Sequence, residues 1–317
     1  VDMSGLTTFN PDHLRVTGGS YVSIPSDLEV TDLTLTGSSQ LDRAAVSQVT
    51  MVVGSDLVIP SGSKITASLD LTVHGSLTVD PGGLINASSK GYGMGAGPAP
   101  GASGIGGGHG GRGAYGGNTS GAAGTYDSVT DPVAMGSGGG YWNGSYLGIG
   151  GGNLRLRVDG AMNVNGSVLA AGGTANARDG GGAGGSIYVT AATLAGVGVL
   201  QADGGSGGGE YSCGGGGGGG RIALYTDATT FTGTVSAKGG WGGSGYYGGA
   251  GTIYNKLNAN ALGDVLIDNG GRSYEWTTFG FTTDFVNVSI VNGAKVDMSS
   301  LAASAPDHLS VTGGSVL

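Results

Sequence analysis

Apolar and polar residues alternate over short stretches along most of this chain. In LRLRVD (154–159), Leu154, Leu156 and Val158 fall on one side and Arg155, Arg157 and Asp159 on the other. This is the period-two pattern of a strand with one face buried and the other in water. MNV (162–164), IYV (187–189) and IAL (222–224) alternate likewise. An apolar residue, a spacer and glycine recur at Val16-Thr17-Gly18, Leu35-Thr36-Gly37 and Val73-His74-Gly75, 19 and then 38 residues apart, and at Val291-Asn292-Gly293 and Val311-Thr312-Gly313, 20 apart. Short strands recurring about every 20 residues, rich in Val, Ile, Leu and Thr and broken by Gly, Asn and Asp, predict the coils of a parallel β-helix. Helical signals are nearly absent, and parallel crossovers favour the right-handed form.

A longer repetition encloses the short one. Residues 1–22 (VDMSGLTTFNPDHLRVTGGSYV) return as 296–317 (VDMSSLAASAPDHLSVTGGSVL), with 14 of 22 positions identical at a constant offset of 295. The chain thus reads as one period of a tandem array plus the start of the next, an architecture that grows by stacking. Val291, Val296 and Val311 mark the expected junction, where the ladder should continue as at any other coil boundary.

Glycine changes this picture. VLAAGG (168–173), VLQADGG (199–205), VSAKGG (235–240) and VLIDNGG (265–271) end alike, and the first three lead into glycine-rich excursions at 172–185, 204–220 and 239–251. A longer excursion spans 91–152. The expected organisation is β-helix coils over 1–90, the long insertion over 91–152, coils with excursions over 153–290, and the next repeat from 291–317. Glycine loses the most backbone entropy on ordering, so 73 of them oppose folding unless a bare backbone is required. Gly101, Gly104, Gly107, Gly110, Gly113 and Gly116 stand at every third position. A left-handed extended helix has three residues per turn, which would gather them on one bare face and allow polyglycine-II-like packing beside the β-helix. The opposing reading is a set of flexible Gly/Ser loops.

Eight of the 13 tyrosines lie in the excursions, among them Tyr115, Tyr141, Tyr211, Tyr246 and Tyr247, together with Trp142 and Trp241. Such rings either pin segments that lack a core of their own or form a face that stacks on sugars or another filament.

Net charge is −9, with charged residues only 11% and scattered, which disfavours nucleic acid and anionic membranes as partners. No apolar run approaches a membrane span. The chain starts without methionine or a basic-then-apolar leader, so any secretion signal is expected upstream. The single Cys213 builds no disulfide framework; it either crosslinks arrays or lodges in a loop. Five Asn-x-Ser/Thr sequences, at Asn86, Asn118, Asn143, Asn165 and Asn287, could carry sugars in a glycosylating host.

Catalysis by a β-helix needs convergent carboxylates. Glu29, Glu210 and Glu275 are the only glutamates and lie far apart, and most aspartates stand at turns. No catalytic residue is expected, and the chain reads as a non-enzyme. His-x3-His and Cys-x2-Cys are absent, as is Gly-Lys-Ser/Thr, so neither a transition-metal site nor a phosphate loop is expected. No cofactor is expected; the acidic turns are compatible with calcium, but the Gly-Gly-x-Gly-x-Asp nonapeptide of calcium-loaded β-rolls does not recur.

The strand, turn and Gly-Gly excursion pattern of GGSIYVTAATLAGVGVLQADGGSGGG and GGGRIALYTDATTFTGTVSAKGGWGGSG resembles the glycine-rich β-helical repeats of very large prokaryotic surface proteins of the adhesin type. The resemblance covers roughly residues 71–271. It implies secretion to the cell surface, tandem repetition and a role in adhesion or extracellular fibres, with copies of itself, neighbouring filaments or surface glycans as partners. The expected function is a repeat unit of an extracellular filament, stalk or sheath; the alternative is a binding module using the glycine and aromatic face.

Overall fold

A computed structural model describes residues 1–2, 8–25, 27–43, 47–116, 121–142, 147–209, 214–279, 285–299 and 306–317. The fold is all-β, and the one helical element among these residues is a 3₁₀ turn at Gly243–Gly245. Strands form sheets of fifteen, seven and two members. Pairing is parallel throughout the first eight rungs, an arrangement compatible with a β-solenoid.

Register explains why these residues form these strands. Leu69, Leu71 and Val73 pair with Val49, Met51 and Val53 on one side and with Leu154, Leu156 and Val158 on the other. Like therefore stacks on like, and nearly all these side chains are fully buried. Each contributes about 1.5–3 kcal/mol on leaving water. Along Asn153–Val164 the pattern is buried at Leu154, Leu156 and Val158, partly exposed at Arg155 and Arg157, and exposed at Asp159.

Coil length varies where glycine intervenes. Val49 pairs with Leu69 one short coil later, whereas Leu69 pairs with Leu154, because the 91–152 segment, which holds no strand among its described residues, lies between. Later rungs begin at Asn153, Ser186, Arg221 and Thr252. Each shorter excursion leaves the end of a seven-stranded-sheet strand (Ser167–Leu169, Val199–Gln201, Thr234–Ser236) and returns at the start of the next fifteen-stranded-sheet strand.

One phase differs from the sequence reading. Thr34 pairs with Val58 and Ile59 with Val79, so the turn after Val79 stacks in line with Leu35-Thr36-Gly37. Val73-His74-Gly75 belongs to the preceding corner. The coils from Leu35 to Ile59 and from Ile59 to Val79 are unequal, and both are longer than the spacing of the motif, so spacing alone misaligned it.

A larger difference lies at the eighth rung. Thr252–Leu257 pairs antiparallel with Asp264–Asp268, through Ile253 with Leu266, Tyr254 with Val265 and Asn255 with Asp264. The link of residues 258–263 is hairpin-sized, and a parallel crossover needs a dozen residues or more. Gly263 is required there, because a Cβ would meet the Tyr254 ring and the Asn255 carbonyl. The run expected as uniform β-helix over 153–290 therefore divides at this hairpin. Its VLIDNGG motif sits in the fifteen-stranded sheet, whereas the strands of the three look-alikes sit in the seven-stranded sheet.

The core changes face at the same point. Ile187, Val189, Ile222, Leu224 and Ile253 belong to the first core. Ala223 and Tyr254, on the opposite face of the same strands, join Val265, Ile267, Phe279, Phe285, Val288, Ile290 and Val296 in a second. One continuous sheet thus has a core on one face before the hairpin and on the other after it.

Beyond the hairpin, strands are parallel again: Asp264–Asp268, Asn287–Val291 and His308–Val311 in the long sheet, with Trp276–Thr278 and Lys295–Asp297 beside them. The ladder crosses the sequence junction unbroken, with Ile290 opposite Val311; Val291 ends its strand, Val296 is fully buried, and Val311 stands on the exposed final edge. Both copies of the repeated segment seat alike. Asp2 bridges Ser23 and Lys295 bridges Val316, at equal separations along the chain. Ser23 N–H donates to Val1 O and Val316 N–H to Ala294 O, both at 2.9 Å and again at equal separations. Gly18 and Gly19 have φ of 64° and 73°, and Gly313 and Gly314 have 64° and 72°.

Candidate functional site

The excursions form an ordered block beside the sheets. Residues 214–220 are seven consecutive buried glycines. Their N–H groups donate in turn to Gly208, Gly104, Tyr246, Gly205, Gly107, Gly249 and Ala202, at 2.7–3.0 Å. Every third donor returns to the same neighbour: 214, 217 and 220 to segment 202–208, 215 and 218 to 104–107, and 216 and 219 to 246–249. Residues 180–185 repeat the rule. Gly180 and Ala183 donate to Gly140 and Ser137, Gly181 and Gly184 to Gly215 and Gly218, and Gly182 and Gly185 to Gly173 and Ala170.

The bare Cα atoms face the remaining neighbours. A Cβ on Gly214, Gly217 or Gly220 would overlap the carbonyl oxygens of Asp179, Gly182 and Gly185. On Gly215 or Gly218 it would overlap those of Ala114 and Gly111, and on Gly216 or Gly219 those of Gly240 and Ala237. Backbone thus surrounds residues 214–220 on every side: segments 202–208, 104–107 and 246–249 accept from their N–H groups, and 179–185, 111–114 and 237–240 donate N–H groups to their carbonyls while closing on their bare Cα atoms. Satisfying each buried N–H removes the penalty an unpaired one carries, about 1–3 kcal/mol.

The six glycines singled out in sequence are all buried. They do not form one continuous stripe, however. Ile105 N–H donates to Ala102 O in a turn where Gly104 has φ 69°. The chain then reverses, bringing Gly106 N–H onto Ala114 O and Gly113 against Gly106. Gly101 donates to Gly138 and Gly107 to Gly181, while Gly110 packs on Gly219 and Gly220. Gly116 lies near the end of the described segment.

The aromatic residues divide. Tyr115, Tyr246 and Tyr274 form a cluster with ring centroids 5.2–5.6 Å apart, and Tyr247 is half-buried beside them in sequence. Burial drives the Tyr274 hydroxyl well above the usual phenol range. Tyr141, Trp142 and Trp241 are 46%, 40% and 44% exposed. Trp142 N–H donates to the Asp179 carboxylate at 2.6 Å, Gly208 N–H to Asp179 O and Gly207 N–H to Trp241 O. Trp142 and Trp241 thus flank one tip of the block. Tyr211, Tyr146, Cys213, Glu210, Asn118 and Asn143 lie outside the described residues.

A buried ionic cluster ties the long insertion to this block and to the sheet; of its members the sequence singles out only His109, within Gly-Gly-His-Gly-Gly-Arg112, as a hydrogen-bonding support for the glycine segments. His109 is fully buried, with Nδ1 donating to Gly184 O at 2.8 Å and Nε2 3.3 Å from Asp127 Oδ2. Asp127 also accepts from the N–H groups of Ser128, Val133 and Ala134 at 2.9–3.3 Å. Burial alone would raise its carboxyl, but the His109 hydrogen bond and charge and these backbone donors outweigh burial and hold it at about 2. Buried Arg221, lowered to about 10 by desolvation, donates to Tyr126 O and Thr252 Oγ1 at 2.9 and 3.0 Å. Asn269, also fully buried, closes the mouth of the last excursion by accepting from Gly239 N–H and donating to Gly248 O. The isolated polar letters in glycine runs were the available signal for these residues.

No family model, curated protein or solved structure matches this chain.

The long insertion reaches the second core as well. Arg112 N–H donates to Trp276 O, its guanidinium to Thr278 Oγ1 at 2.8 and 3.0 Å, and it lies 3.3 Å from Asp297. Tyr225 OH donates to Thr130 O, and Arg155 pairs with Asp131 while stacking 3.9 Å over Tyr188. From Tyr188 a file of rings continues through Tyr225, Tyr254, Phe285 and Phe279, at 5.4–5.8 Å spacings. This file runs from the outer face of the first stack into the core of the second. Of the glutamates, Glu29 is exposed on an early rung, in a groove of about 310 Å³ with Asp12 and His74, and Glu275 is buried beyond the hairpin. Those two do not converge. No helix among the described residues is long and apolar enough to cross a membrane.

Proposed function

We propose that this chain is a structural repeat unit of an extracellular filament, stalk or sheath, built from right-handed β-helical coils flanked by polyglycine-II-like helices. The observation that carries the reading is the parallel pairing of both copies of the repeated segment: His308–Val311 continues the ladder from Asn287–Val291 across the junction, and its counterpart His13–Val16 continues it to Asp32–Leu35. A segment with a parallel partner on either side lets a following period continue the ladder without a new interface. The period-three donation around residues 214–220 supports the glycine helices, since three residues complete one turn of that form. A backbone-bonded block gives stiffness without a broad side-chain core, which suits a narrow rod. Electron microscopy of the native assembly tests this: continuous filaments of one chain with axial features near 48 Å, ten rungs at about 4.8 Å each, are expected. Isolated globular particles would overturn it.

A second reading is favoured by the exposed Tyr141, Trp142 and Trp241, which suit stacking on glycans or on a neighbouring filament. Quenching of tryptophan fluorescence by glycans, abolished by Trp142→Ala with Trp241→Ala, would support it; unchanged emission across a broad glycan panel would remove it.

A further inference from the structure

We infer that the end face formed by Val296, Asp297, His308–Val311 and Leu317 is the seat of a further copy of this chain, and that the segments it takes are Ser23–Ile24, Asp32–Leu35 and Gln40–Asp42, each in one register. The inference deepens the filament reading and rests on it, since it supposes that a further period follows in the same chain.

The repeated segment shows what covers this face, because its first copy is covered and its second is bare. His13–Val16 pairs in parallel with Asp32–Leu35, and Tyr21–Ser23 with Gln40–Asp42. Beneath these strands Val16 and Val22 are 3% and 6% exposed. Their counterparts at the offset of 295, Val311 and Leu317, are 39% and 54% exposed. Apolar positions buried in one copy and open in the other identify the missing cover as Asp32–Leu35 and Gln40–Asp42. The backbone acceptors are duplicated as well. Thr31, Thr36 and Gln40 donate their N–H groups to Asp12, Val16 and Ser20 O at 2.8–3.0 Å, and the Ser39 hydroxyl donates to Val16 O at 2.7 Å. On the bare copy the same acceptors are Asp307, Val311 and Ser315.

The corner fixes the register. A Cβ on Gly37 would come within 2.9 Å of the Gly18 nitrogen, and one on Gly313 within 2.8 Å of the Asn292 nitrogen. Gly313 is the counterpart of Gly18, so the corner column runs through Asn292, Gly313 and then the added copy's Gly37. A slip of one residue would turn Leu33 and Leu35 away from the core. Beside the strand edge, a groove of about 450 Å³ is lined by Trp276, Val296, Met298 and Leu317, and by Arg112 and Asp297. Asp2 bridges Ser23 in parallel, so Asp297 takes the added Ser23 and Met298 takes the neighbouring Ile24, a residue fully buried in its own copy. Ile24 thus fills the apolar part of the groove.

The test compares residues 1–317 with a longer chain in which residue 317 continues directly into a second copy of residues 23–317. His308 and Thr312 donate their N–H groups inward, to Val286 and Ile290, so by strand alternation the amides of Leu309 and Val311 point to the free edge. Their hydrogen exchange is expected to slow by about tenfold or more in the longer chain. Register is read from Ser310→Cys with Thr34→Cys in the added copy, on a Cys213→Ser background. These positions repeat the exposed pair Arg15 and Thr34, and adjacent strands about 4.8 Å apart lie within disulfide reach. Oxidised glutathione should link them and should leave Ser310→Cys with Thr36→Cys unlinked. Unchanged exchange at Leu309 and Val311, no link at Thr34→Cys, or equal linkage at Thr36→Cys would overturn the inference. Any of these results alongside continuous native filaments would reject this seat alone. The specific link alongside isolated native particles would support the seat while rejecting the filament reading.

Discussion

The coil stack and the glycine block solve the burial of backbone in opposite ways. In the stack, columns such as Val49, Leu69 and Leu154 supply apolar area, and the backbone pairs rung to rung. In the block, residues 214–220 contribute no side chain, and their N–H groups turn through three neighbours in three residues. The stack therefore depends on volume that is present, and the block on volume that is absent. A large-to-small change should injure the first, and the smallest addition should injure the second.

The largest effect is expected where the two regions are joined. Asp127→Asn removes the carboxylate facing buried His109 and keeps the side chain's size. Breaking a buried pair costs about 3–5 kcal/mol, and a denaturant midpoint lowered accordingly is the expected result. The same group gives a pH dependence. Its folded value, about 2, lies below the ordinary carboxylate value, so its contribution is complete above roughly pH 4 and is lost as pH falls towards 2. That loss amounts to roughly 2 kcal/mol, and Asp127→Asn should flatten this part of the acid-stability curve.

Within the stack, Leu156→Ala should cost about 2–5 kcal/mol by opening a cavity, whereas Leu156→Met should cost less than about 1.5 kcal/mol. Within the block, Gly217→Ala adds one methyl against the Gly182 carbonyl and should cost about 1–3 kcal/mol. Gly124→Ala, where a Cβ meets nothing, should stay within about 0.5 kcal/mol. Equal effects of Gly217→Ala and Gly124→Ala would erase the distinction between packed and merely glycine-rich backbone.

Much of the stack was legible because side chains carry its register. The alternation of Leu154 to Asp159 assigns both faces of a strand before any coordinates are known. The block was legible in kind but not in place. Its most regular run is a homopolymer, residues 214–220, which has no letter pattern to read, while the every-third-glycine pattern of 101–116 falls across a turn at Ala102 to Ile105 and a reversal. The hairpin at 258–263 was missed because VLIDNGG imitates motifs whose strands lie in another sheet. Its signal was the short link NANALG, too brief for a coil. His109 and Asp127 come together across 18 residues of irregular chain, a proximity that no periodicity encodes.

The glycine block is as ordered as the strands it accompanies, every N–H of residues 214–220 being hydrogen-bonded to backbone. Amide hydrogen exchange of residues 214–220, read beside Leu154, Leu156 and Val158 in the intact chain, tests it most directly. Protection of these glycine amides comparable to that of the strand amides is the expected result. Exchange at unfolded-chain rates throughout 214–220, with the strands still protected, would contradict it.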